Sequence, residues 1–154
     1  MTFERTTSDD ENFLSLVALL DEDLAIRDGE DHAFYAQFDT LDHIKNVLVC
    51  YHRNYAVGCG AFKPYNNTTA EIKRMFVRPD FRGKGIARGI LTELENWASE
   101  YSFTNCILET GTNNPHAIQL YTKMGYSIIP NYDQYENVVT SVCLCKSIIK
   151  FFLS

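Results

Sequence analysis

The segment Arg82-Gly83-Lys84-Gly85-Ile86-Ala87 constrains this chain more than any other. It follows a strand-like run, Ala70 to Val77, and opens a helix-like run that lasts to about Tyr101. Glycines let the backbone approach a ligand closely, and free N–H groups at a helix start favour anions. Strand, glycine turn and helix in direct succession therefore read as a phosphate cradle inside an α/β protein. Two better-known cradles fail on specific residues. A nucleotide P-loop needs Gly-Lys-Ser/Thr, but Lys84 is followed by Gly85, which offers no hydroxyl for magnesium. A dinucleotide fingerprint needs a third glycine where Arg88 stands.

Charge distribution supports an anion site. The formal net charge is −6, which disfavours nucleic acid as a partner. Yet Lys73, Arg74, Arg78, Arg82, Lys84 and Arg88, six of the 14 basic residues, fall between positions 73 and 88, with Asp80 as the only acid there. An acidic protein thus gathers cations around one loop. At 154 residues the chain is expected to form a single domain over 1–154. The segment Met1 to Asp10 is polar rather than signal-like and no apolar run reaches membrane-spanning length, so no membrane partner and a cytoplasmic location are expected. The five cysteines read as free, mostly buried thiols. Cys143 and Cys145 would share one strand face, but no second pair stands at zinc-finger spacing, and no metal is expected.

The remaining elements follow from periodicity. Phe3 to Thr6 reads as a strand. Ser8-Asp9-Asp10-Glu11 reads as a capping box, with Ser8 the cap, opening a helix striped by Phe13, Leu16, Val17, Leu19 and Leu20. A second helical stretch covers Glu22 to Arg27, broken by Asp28-Gly29. Ile44 to His52 and Tyr55 to Lys63 read as strands joined by a tight turn at Arg53-Asn54. Ile86, Ile90, Leu91, Leu94, Trp97 and Ala98 repeat at helical period, and Gly89 inside that run points to a close approach or a tolerated weak spot. Asn105 to Thr110 reads as a strand. Asn114 caps the next helix with Pro115 in its first position, and Gly125 ends it. Tyr126 to Ile129 and Val138 to Lys146 read as the last strands. The predicted class is mixed α/β, with a mainly antiparallel central sheet flanked by helices. The strands on either side of the Gly85–Tyr101 helix either pair in parallel or splay.

The glycine segment fits the [QR]-x-x-G-x-[GA] signature, and two further blocks stand in order around it. Glu71 to Pro79 resembles a strand leading into such a loop, and Asn114-x-x-Ala117-x-x-x-Tyr121-x-x-x-Gly125-Tyr126 resembles a late helix. Together, over the element order from Phe3 to Lys146, the chain resembles the GNAT superfamily of acetyl-CoA-dependent N-acetyltransferases. The resemblance implies acetyl-CoA as cofactor. It implies N–H groups from Gly83, Lys84, Gly85, Ile86 and Ala87 on the coenzyme A diphosphate, with Arg82, Lys84 and Arg88 nearby. It implies backbone groups at Met75, Phe76 and Val77 on the pantetheine arm, Val77 N–H on the thioester carbonyl, and Asn114 and Tyr121 at the cofactor, Tyr121 as general acid.

An amine acceptor must lose a proton before it attacks. At pH 7 a lysine-like amine holds that proton by about 3 pH units, or roughly 4 kcal/mol. A positioned base offsets this. Glu71 is the candidate, standing eleven positions before Arg82, a spacing at which some family members carry a catalytic glutamate. Its alternative reading is an exposed strand acid paired with Lys73. Asp133 and Glu109 are further candidates for the base. The departing thiol has a pKa of about 8.5, so a proton from Tyr121 helps without being indispensable. No cysteine stands in a nucleophile setting, so direct transfer in a ternary complex is expected. The first helices and last loop nominate Arg27, His32, Tyr35, Phe38, Tyr132 and Tyr135 for the acceptor side.

The expected activity is acetyl transfer to a primary amine of a small molecule or peptide. The alternatives are a non-catalytic acyl-CoA sensor on the same fold and an enzyme acting on a protein N-terminus or other macromolecule. The apolar stretch at 148–153 suits packing on the sheet, extension of the last strand, or a homodimer interface.

Overall fold

The computed structural model describes residues 1–29 and 43–149. Its elements are β1 (Thr2–Thr6), α1 (Glu11–Asp28), β2 (Asn46–His52), β3 (Tyr55–Pro64), β4 (Thr69–Val77), α2 (Ile86–Glu100), β5 (Asn105–Gly111), α3 (Pro115–Lys123), β6 (Ser127–Ile129) and β7 (Ser141–Ser147). The strands form one seven-stranded sheet in the order β1-β2-β3-β4-β5-β7-β6. Pairs β1/β2, β5/β7 and β6/β7 are antiparallel. The strands flanking α2 pair in parallel, with a register that covers Thr69–Glu71. The mixed, mainly antiparallel α/β class expected from the sequence is therefore the one the chain adopts.

The chain divides into two compact units, 1–61 with 74–91, and 62–73 with 92–154. In the first unit, Phe13, Leu16, Val17 and Leu20 of α1 pack with Val47 and Val49 of β2, Ala56 and Cys59 of β3, and Phe76 of β4. Removing the Phe, Leu and Val side chains among these from water supplies roughly 1.5–3 kcal/mol each. Gly89, on the first turns of α2, lies against the Phe3 ring, and a Cβ built there would come within 2.6 Å of it. The glycine is a close approach, not a tolerated weak spot. In the second unit the ring of Phe62 meets Trp97, Tyr101 and Phe103 edge-on at 5.6–6.3 Å. Leu94, Cys106, Leu108 and Leu144 of the same unit are fully enclosed.

Three local expectations are corrected. Asp10, not Ser8, caps α1: its Oδ1 accepts the Phe13 N–H at 3.0 Å, while the Ser8 hydroxyl accepts the Ile44 N–H at 2.9 Å. A tertiary contact has taken the side chain that the local motif nominated. The two expected helices are one, running unbroken from Glu11 to Asp28 and closed by Gly29. The last strand begins at Ser141, because Asn131 Nδ2 donates to the carbonyls of Val138 and Ser141 and folds the chain between them into a turn. Other readings hold. Arg53 and Asn54 are both left-handed in the β2–β3 turn, Asn114 Oδ1 accepts the Ala117 N–H, and Pro115 opens α3. Among the described residues no helix is long and apolar enough to cross a membrane. Positions 150–154 of the apolar tail lie outside the described residues.

Four of the five free cysteines are buried and Cys145 is half-buried. Burial pushes the thiols of Cys59 and Cys106 up to about 12. At pH 8 a thiol with that pKa is ionised to roughly one part in ten thousand, and the thiolate is the reactive form. Titration of the native protein with an aromatic disulfide reagent at pH 8 is expected to consume Cys145 first. Cys59 and Cys106 react only after denaturation; their rapid labelling in the folded state would contradict the packing described.

Candidate functional site

The glycine loop lies in the first unit. Arg78 ties the end of β4 to β3: its N–H bonds the Val57 carbonyl at 2.8 Å, its Nε bonds the Ala56 carbonyl at 2.7 Å, and its guanidinium stacks 4.5 Å from the Tyr55 ring centre. A single turn of 3-10 helix at Pro79–Phe81 then delivers Arg82. Gly83 and Gly85 have φ of +77° and +81°, the left-handed region that glycine enters without strain. A Cβ at either would meet open space, so conformation and not crowding requires glycine there. The Gly89 N–H closes the first turn of α2 on the Gly85 carbonyl at 3.0 Å. The N–H groups of Ile86, Ala87 and Arg88 consequently have no acceptor inside the helix. Ile86 is buried and anchors the turn, Ala87 is half-buried, and Arg82, Lys84 and Arg88 are exposed.

The arginines are not equivalent. Arg82 Nε donates to the Val77 carbonyl at 2.9 Å, and its Nη2 lies 3.7 Å from Asp23 Oδ2. It braces the last peptide of β4 as well as adding charge. Arg27, expected on the acceptor side, pairs with the same Asp23 oxygen at 3.2 Å from the last turn of α1. Within β4, Phe76 and Val77 are buried and Met75 is half-buried. They directly follow Arg74, which is left-handed with φ +60°.

A second cluster lies in the other unit. Glu71 on β4 is 5% exposed, so the expectation of an exposed strand acid fails. Its Oε2 accepts the Tyr132 hydroxyl at 2.8 Å and stands 3.9 Å from Lys73 Nζ. Tyr132 packs edge-on between Tyr65 at 5.4 Å and Tyr135 at 5.7 Å, and Tyr65 donates to Asp133 at 3.1 Å. Burial, and then the Glu71 charge, pushes the Tyr132 hydroxyl far above the usual phenol value, so it remains a donor. Tyr121 on α3 is buried, with its ring 5.8 Å from Tyr126. Burial raises its pKa, with the Glu109 charge adding to the effect. Glu109 itself accepts the Ser141 hydroxyl.

The structure thus joins Glu71 to Tyr132 directly, while Glu109 bonds Ser141. Tyr135 is buried and packs on Tyr132 rather than facing solvent. Asn114 spends its side-chain oxygen on the α3 cap. His32, Tyr35 and Phe38 lie outside the described residues. Reading the sequence missed Tyr65, Asp21 and Asp23. The i,i+4 spacing of Asp23 and Arg27 is a local signal, but Tyr65–Asp133, Asp21–Arg74 and Asp23–Arg82 join residues far apart in the chain, and no spacing rule marks them.

The residues fit coenzyme A. A left-handed glycine turn with cations on both sides offers the donors that a diphosphate needs, and a strand that breaks its pleat before Met75 suits an extended arm beside it.

Comparison with known proteins gives the family. A family model described as "Acetyltransferase (GNAT) family" matches residues 13–126. The chain is 37% identical to an "IAA acetyltransferase" of Azospirillum brasilense over 81 residues, 52% of this chain and 53% of that protein. It is 30% identical to a Bacillus subtilis protein, YyaT, over 84% of this chain and 89% of that one. The chain therefore spans about half the length of the first relative and most of the second. A solved structure from Klebsiella pneumoniae shares 27% identity at a TM-score of 0.80, covering 96% of this chain and 97% of that one. A GNAT family acetyltransferase of Elizabethkingia anophelis, crystallised with acetyl-CoA bound, shares the fold at a TM-score of 0.68 and 19% identity, covering 95% and 97%. With its signature loop, its sheet and the match over 13–126 in agreement, the chain belongs to the GNAT family of acetyltransferases.

Proposed function

We infer that this protein transfers the acetyl group of acetyl-CoA to a primary amine of a small molecule or peptide, by direct attack in a ternary complex. One observation carries the reading. A single strand, β4, holds a buried carboxylate at Glu71 and then runs through a left-handed residue into the glycine turn. Acetyl-CoA brings an acetyl group already activated as a thioester, and everything else falls to the chain.

The amides from Gly83 to Ala87 hold the diphosphate, with Lys84 and Arg88 adding charge. Arg82 fixes the Val77 carbonyl, in the peptide that follows, and the Val77 N–H polarises the thioester carbonyl. Glu71 takes the proton from the ammonium form of the acceptor, directly or through a water. Tyr132 holds that carboxylate in place between reactions. Tyr121, kept protonated by burial, donates a hydrogen bond to the sulfur as the C–S bond breaks, and the proton released by the newly acylated nitrogen passes to the departing thiolate. Burial raises the Cys59, Cys106 and Cys143 thiols and leaves them poor nucleophiles, which favours direct transfer over an acyl-enzyme.

The test is acetyl-CoA turnover, read as free thiol release, against amino acids, polyamines, aminoglycosides and short peptides. Release that depends on one amine class is the expected result. Coenzyme A binding with no release against any of these amines would replace this reading with a sensor.

A further inference from the structure

Arg74 is the least expected residue in β4. It sits within a strand, yet its backbone is left-handed at φ +60°, a conformation that residues other than glycine, asparagine and aspartate seldom enter. Its side chain is only 8% exposed, so a full positive charge is withdrawn from water. Both features are unfavourable alone and persist only where the surroundings hold them. Two elements do so. From β3, the Cys59 thiol donates to the Arg74 carbonyl at 3.3 Å. From α1, Asp21 Oδ1 stands 3.5 Å from Arg74 Nη1. Asp21 is itself 51% exposed, so its carboxylate keeps its hydration while neutralising a charge that has lost its own.

The position matters. Arg74 immediately precedes Met75, Phe76 and Val77, the segment assigned to the pantetheine arm. At the far end of that segment, Arg82 bonds the Val77 carbonyl and faces Asp23, also on α1. The helix thus grips β4 on both sides of the coenzyme-pairing residues through two aspartates. A left-handed residue in a strand interrupts the ladder and turns neighbouring peptides away from it. That is what an incoming extended ligand requires of a strand.

We propose that Asp21 is a positioning residue for coenzyme A: its carboxylate holds Arg74 in the left-handed conformation that presents the Met75–Val77 backbone to the cofactor. The proposal rests on the acetyl-CoA reading above. It makes a prediction opposite to simple electrostatics. Removing an acid near a polyanion site should tighten binding, whereas loss of positioning should weaken it.

The experiment is calorimetric titration with coenzyme A, paired with hydrogen exchange of the Met75, Phe76 and Val77 amides without ligand. Asp21→Ala should raise Kd about tenfold, the scale of one lost charged contact, and should speed exchange at the three amides. Arg74→Gly in the Asp21→Ala background should return Kd to within about threefold of wild type and restore slow exchange, because glycine holds φ +60° unaided. Asp21→Asn supplies a milder variant in case the alanine protein folds poorly. Unchanged or tighter binding in Asp21→Ala, or no rescue by glycine, would overturn the proposal. Wild type that fails to bind coenzyme A would instead overturn the acetyl-CoA reading, and the exchange data would still report whether Asp21 holds the strand.

Discussion

Glu71→Gln is expected to lower kcat for the best amine acceptor about 10²–10⁴-fold, the usual contribution of a general base, while leaving coenzyme A affinity within about twofold. Glutamine is the informative change because its carbonyl oxygen can still accept the Tyr132 hydroxyl that now bonds Glu71 Oε2 at 2.8 Å. The Tyr132 hydrogen bond survives, while the proton acceptor and the negative charge 3.9 Å from Lys73 Nζ are lost. Steady-state thiol release with saturating acetyl-CoA measures kcat, and titration with coenzyme A measures affinity. The deficit should shrink for an acceptor of low amine pKa, which is already neutral and needs no base. A variant within twofold of wild type on every amine would remove Glu71 from the chemistry and leave it a buried acid tied to Tyr132 and Lys73. A variant that loses coenzyme A binding as well would show the residue to be structural.

The largest stability effect is expected away from the chemistry. Glu95 on α2 is buried and is held by Lys146 Nζ on β7 at 2.8 Å and by the Tyr126 hydroxyl at 2.8 Å. Lys146 also lies 5.7 Å from the Tyr126 ring centre, so cation, ring and carboxylate form one cluster. Lys146→Met keeps an unbranched stem in place but strands the carboxylate. Breaking a buried pair in this way costs roughly 3 kcal/mol or more. Adding Glu95→Gln should recover most of that loss, since neutralising both partners removes the orphaned charge. Urea unfolding of the wild type, both single variants and the double variant completes the cycle. Strictly additive losses would contradict the coupling. So would a Lys146→Met protein as stable as wild type.

How much of this was legible in the sequence depends on how far apart the interacting residues stand. The glycine turn, the α2 stripe and the Asn114-Pro115 start are local, and each appears where the spacing put it. The α1 reading shows the limit. The stripe ending at Leu20 and the stretch Glu22 to Arg27 read as two helices, with nothing local to show why the chain should stay helical through Asp21. The structure supplies the reason: Asp21 and Asp23 meet Arg74, Arg27 and Arg82, while Leu20 and Leu24 carry the stripe across the gap. The Tyr132–Glu71 bond joins residues 61 positions apart, and Lys146–Glu95 joins residues 51 apart. No periodicity encodes such pairs. The left-handed Arg74 was hidden for the same reason, since its supports come from β3 and α1 and arginine is not a residue that announces that conformation.

Titration with coenzyme A of the wild type against Gly85→Val tests the central claim most directly. Gly85 has φ +81°, and a Cβ there meets open space. Valine therefore strains the turn without crowding the core, and a folded variant is expected by circular dichroism. The account predicts measurable heat with the wild type and a Kd raised at least tenfold, about 1.4 kcal/mol, in the variant. Equal affinity in the two proteins, or no heat with either, would contradict it.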